Sequence, residues 1–139
     1  MRTLLLLFGV IAVCVLAYDP VFVDELEDLV FTKEEKWELE TLDDDDTMTR
    51  SEKQKKLDEI LAKQPKVVQD RYKSLVETRK LRHQKRIEMK IEKATDPEIK
   101  EFWKEMEKID NDMNISEDEA EMKEWELKSK LTPEQRKLL

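Results

Sequence analysis

Two acidic stretches are the first candidates for chemistry, residues 42–52 (LDDDDTMTRSE) and residues 109–119 (IDNDMNISEDE). Aligned, they share an apolar start, Asp43 with Asp110, Asp45 with Asp112, and an apolar Met48 with Ile115. Carboxylates two apart in a turn can direct several oxygens at a hard cation such as Ca²⁺ or Mg²⁺. Counting Asp110 as the first ligand of an EF-hand loop puts Asp112, Asn114, Ser116, Asp118 and Glu121 at the remaining side-chain and main-chain ligand places. Ile115 then stands where the sharp turn needs glycine. Sliding the register to make Glu119 the last ligand leaves Lys108 as the first, and Gln54 takes the last place in the first copy. Neither register makes an EF-hand. Two readings stay open: solvated turns that end in helix caps, and a weak cation site of another kind with Asp43, Asp45, Asp110 and Asp112 as its ligands.

A second candidate is the basic run Arg79, Lys80, Arg82, Lys85 and Arg86, which could bind an anionic glycan or lipid electrostatically. The competing reading is a helix face neutralised by the acidic flanks of the same chain. His83 lies inside the run; as the only histidine, it has neither a companion ligand nor a triad spacing. Asn114-Ile115-Ser116 is a candidate N-glycosylation sequon. Trp37, Trp103 and Trp125 occur on helical stretches, where core packing is the default and a groove for a small apolar ligand the alternative. No nucleophile, base and orienting group can be assembled from these residues, so no enzymatic activity is expected.

The elements that position these residues follow from caps and periodicity. Thr49 and Ser116 are each followed three residues later by Glu52 and Glu119, the pattern of a capping box, so each acidic turn feeds a new helix. The same signal at Thr32-Lys33-Glu34-Glu35 starts a helix through Leu42. Leu57, Ile60 and Leu61 mark one helical face before Pro65. Residues 65–94 contain no breaker and read as one long helix with a polar waist. Thr95-Asp96-Pro97-Glu98 reads as a further capping box, opening a helix with Ile99, Phe102, Trp103, Met106 and Ile109 on its apolar side. Another helix carries Met122 and Trp125, and Thr132-Pro133-Glu134-Gln135 opens a last one. Residues 18–31 read as a short helical segment. No stretch alternates as a strand does, so the class is all-α: two degenerate helix–acidic turn–helix units, residues 31–94 and a shortened 95–139, joined by a long basic helix.

Composition narrows the functional classes. Residues 4–17 form an apolar run after Met1-Arg2, the pattern of a secretory signal, and the mature helical domain is expected to span residues 18–139. The run is shorter than the ~20 apolar residues of a membrane span. With it would go the only cysteine, Cys14, and the only glycine, Gly9. The rest of the chain then offers no thiol chemistry, disulfide or glycine-rich phosphate loop. Charged residues make up 43% of the chain, which leaves a thin core to bury. The net charge is −8, with acidic flanks at residues 24–46 and 96–126 around a basic centre at 50–93. An extracellular location points away from nucleic acid as a partner.

The phrases TDPEIKEFW at residues 95–103, NISEDE at 114–119, Trp125 and KLTPE at 130–134 resemble the helical domain of the nematode SXP/RAL family. FTKEE, MTRSE and QPKVVQDRY, within residues 31–72, resemble the same pattern. The resemblance implies a small secreted all-α antigen that meets a host partner, binds divalent cations and has no established enzymatic activity. It carries Asp43, Asp45, Asp110 and Asp112 over as ligands of Ca²⁺ or Mg²⁺. The shortened second unit and the segregated charge depart from the family's pattern. The leading expectation is a secreted non-enzymatic protein with weak cation binding. The alternative is an adhesion or scavenging module that takes an anionic glycan or lipid, or a small apolar ligand.

Overall fold

A computed structural model describes residues 18–139. The expected signal peptide, residues 1–17, lies outside the described residues. Among the described residues there are seven helices and no strand: α1 (Val23–Glu27), α2 (Lys33–Asp43), α3 (Arg50–Ala62), α4 (Lys66–Lys93), α5 (Pro97–Asn111), α6 (Glu117–Ser129) and α7 (Pro133–Arg136). None of them is long and apolar enough to cross a membrane.

Most helices start where a hydroxyl or carboxylate can satisfy a free backbone N–H. Thr49 with Glu52, Ser116 with Glu119 and Thr132 with Gln135 form reciprocal capping boxes. Thr32 accepts from the Glu35 N–H at 3.2 Å. Each such cap contributes about 1 kcal/mol. The box expected at Thr95 is shifted by one residue: Asp96 is the cap, accepting from the Glu98 N–H at 2.8 Å. Pro97 dictates this, because a residue without an N–H fits the first helical position and leaves its predecessor as the cap. The long helix is continuous over 28 residues, with Pro65 just before it.

Residues 18–31 carry more of the fold than their sequence suggested. Val21, Phe22, Val23, Leu26 and Val30 are buried with Leu39 and Leu42 of α2, Leu57 and Ile60 of α3, and Val68 and Tyr72 of α4. A smaller second core joins Ile99, Phe102 and Met106 of α5 to Leu131. The default of core packing fails for two of the three tryptophans, since Trp37 and Trp125 are each 69% exposed. Trp37 lies two residues from the buried Leu39 and Trp125 five from the buried Ala120, offsets of roughly 160° and 140° around a helix. Phe31 does not fold back on α2 either, and is 90% exposed.

The two acidic turns lie side by side. Thr49 and Ser116, equivalent positions of the two copies, form an antiparallel bridge. The Arg50 N–H donates to the Ile115 carbonyl at 2.9 Å, and the Ser51 N–H to the Met113 carbonyl at 2.8 Å. The Asp118 N–H reaches back to the Asp46 carbonyl at 3.2 Å.

Candidate functional site

The four candidate cation ligands are engaged separately. Asp45 accepts from the Thr47 hydroxyl at 2.8 Å and from the Thr47 and Met48 N–H groups at 3.2 Å each. These bonds, the Thr47 hydroxyl first, hold its carboxyl below the usual range. Burial, then the Asp24 charge, pushes the Asp43 carboxyl up. Asp112 accepts from the Asn114 N–H at 3.0 Å and lies 3.7 Å from the Lys123 ammonium. Asp110 is buried and takes a 2.7 Å hydrogen bond from His83 Nε2. Among the described residues, no three His, Cys, Asp or Glu side chains gather as a group that could hold a metal ion.

Two side-chain cations sit in the turns. Arg50 is only 2% exposed. Its Nη1 donates to the carbonyls of Ile109 at 2.6 Å and Asp112 at 3.2 Å, while Nε and Nη2 bond the Glu117 carboxylate at 2.6 and 3.2 Å. Lys53, 1% exposed, donates to the Asp43 carbonyl at 2.9 Å. Sequence reasoning missed both residues. One signal existed: Arg50 opens a helix, where the macrodipole disfavours a cation, and Glu117 stands at the equivalent place of the other copy.

His83 is the hinge between two cavities. Its ring stacks on Tyr18 with centroids 3.5 Å apart and planes 6° from parallel. With the carboxylate of Asp110 on Nε2, its buried Nδ1 has no hydrogen-bond partner. Tyr18, His83 and Ile87 line both cavities. The larger, about 720 Å³, is rimmed by amides and carboxylates, among them Gln54, Asp58, Gln84 and Asn111. The smaller, about 170 Å³, is walled by Ile87, Phe102, Trp103, Met106, Ile109 and Ala120. Arg86 and Lys90 line it from α4 and Lys128 from α6, and the carboxylates of Asp110, Glu117, Glu121 and Glu124 also lie on its wall. Lys128 is paired with Glu124 at 2.5 Å. Lys90 lies 3.8 Å from the Trp103 ring centre, and its ammonium is pulled below the usual lysine range by burial and by the Arg86 charge. Arg86 forms no ion pair among the described residues.

No family model, curated protein or solved structure matches this chain.

The basic run is divided around α4. Arg79 pairs with Glu25 at 3.0 Å, Lys80 lies 5.9 Å from the Phe22 ring centre, and Arg86 lines the apolar cavity. Arg82 and Lys85 alone of the five are neither paired nor part of a cavity wall among the described residues. Asn114 is exposed, whereas Ser116 of the same sequon is buried and its hydroxyl caps α6. Of the tryptophans, only Trp103 lines the apolar cavity.

Proposed function

We propose that this chain is a secreted, non-enzymatic binding protein that takes a small amphipathic anion between α4, α5 and α6. The observation that carries this reading is the apolar wall of Phe102, Trp103, Met106 and Ile109 facing Ile87, with Arg86 and Lys90 on the same cavity. An aliphatic or aromatic body removed from water gains about 25 cal/mol per Å² of buried apolar surface. A carboxylate head would meet Arg86, which forms no ion pair among the described residues, beside Lys90, whose ammonium already donates to the Leu139 oxygen at 2.7 Å. The volume is below the ~300–1,000 Å³ of drug-sized sites, which favours a single short chain or ring. The apolar leader supports secretion, and the SXP/RAL-like phrases support a small extracellular helical antigen.

The test uses Trp103 as the reporter. In a Trp37→Phe, Trp125→Phe background, emission comes from the cavity wall alone. Titration with octanoate should shift that emission saturably, with octanol binding several-fold more weakly. Arg86→Glu should weaken octanoate and leave octanol unchanged. An emission that does not saturate, or that responds equally to both ligands, sinks the reading.

A further inference from the structure

We propose that the outer face of α4 docks on an anionic lipid surface. The inner face of α4 is spent on the fold: Val68, Tyr72 and Ile87 are buried, and His83 reaches Asp110. On the opposite side Val67, Arg71, Leu81, Arg82, Lys85 and Met89 are all exposed. At 3.6 residues per turn they fall within about 100° of arc, and the stripe from Val67 to Met89 runs about 33 Å. No aspartate or glutamate falls inside that arc between its ends; Asp70 and Glu88 border it, about 20° beyond Leu81. Arg71, Arg82 and Lys85 form no ion pair among the described residues. Of α4's other cations, Lys66 pairs with Asp70, Arg79 with Glu25, and Lys90 lies over the Trp103 ring.

Charge and apolarity together identify the partner. A sulfated glycan would satisfy the three cations and leave Val67, Leu81 and Met89 in water. A bilayer with anionic headgroups takes both kinds of residue, since apolar side chains enter the acyl boundary while arginine and lysine reach up to phosphates. The chain's net charge of −8 sets the orientation, because most other faces would be repelled by such a surface. Each basic residue near the surface adds a similar increment of binding, and salt weakens all of them.

Co-sedimentation with phosphatidylcholine vesicles, with and without phosphatidylserine, tests this. The protein should pellet with phosphatidylserine vesicles at low salt and stay in solution with phosphatidylcholine alone. Arg82→Glu with Lys85→Glu should weaken that binding at least about tenfold. Leu81→Ser with Met89→Ser should also weaken it, while leaving retention on heparin unaltered. All four changes are on exposed side chains, so the melting temperature and the octanoate titration should not move, which separates this surface from the cavity. Equal binding to both vesicle types, or heparin retention lost in the charge variant without any vesicle binding, overturns the proposal; the second outcome assigns the face to a glycan.

Discussion

Arg50 enters the second acidic turn from the opposite unit and bonds two main-chain carbonyls and one carboxylate. Those are oxygen donors of the kind a hard cation takes. A divalent ion that used the same oxygens would compete with this buried guanidinium. Arg50→Ala should therefore cost on the order of 3–5 kcal/mol, the usual result of stranding one partner of a buried pair. Arg50→Lys should recover little of it, since an ammonium lacks the planar fork that serves three acceptors. In millimolar Ca²⁺ the Ala variant should regain part of its melting temperature by mass action, while the unaltered protein stays put. An equal rise in both would mean that the turns bind the ion with Arg50 in place. Spacing alone marked Asp110 as a ligand; it could not reveal His83, which arrives from 27 residues away in sequence. Equivalence of the copies could have revealed Arg50 and Glu117, opposite charges at one repeated position.

At the scale of elements, caps and breakers were the legible part. Thr49, Ser116, Thr132 and the proline at residue 97 set helix starts through local chemistry that needs no tertiary context. The segment before α1 was harder, because it has no period to read. It is held by long-range packing, and it brings a carboxylate inside: Asp19 accepts from the Val21 N–H at 2.7 Å. Burial, against that hydrogen bond, pushes the Asp19 carboxyl up from 3.8 to about 6, with Glu117 adding to the rise and Lys53 and Arg50 opposing it. The folded state thus favours the neutral acid. Its contribution to stability is fully present below pH 3.8 and is lost as pH rises through about 6. Asp19→Asn keeps the acceptor and removes the charge. Above pH ~7 it should stabilise the protein by up to about 3 kcal/mol, an upper figure for a group still partly solvated. Below pH ~4 the two melting curves should converge. A variant that melts lower than the unaltered protein at neutral pH would show the charge to be favourable where it sits.

For the whole molecule, the repeat was legible and its purpose was not. The two copies fold as expected, each an acidic turn between helices, but their partnership depends on the Thr49–Ser116 bridge, the Arg50–Glu117 pair and the His83–Asp110 bond. None of these has a signature in hydrophobic period, since each joins polar residues far apart in sequence. The division of the core gives them weight. The buried apolar residues of the second cluster are Ile99, Phe102, Met106 and Leu131, too few to offset the entropy of ordering 45 residues (95–139). A fragment of residues 95–139 should accordingly show little helix by circular dichroism, and its helices should be marginal in water. Adding a fragment of residues 18–94 should restore helicity at a stoichiometry of one to one, because it supplies α4, the paired turn and Arg50. Carrying Arg50→Ala and His83→Ala in the longer fragment should weaken that association by about tenfold or more, as expected when buried charged partners are left unpaired across an interface. Full helicity of residues 95–139 alone would mean that the second unit is an independent domain, and that the contacts between the turns only orient it.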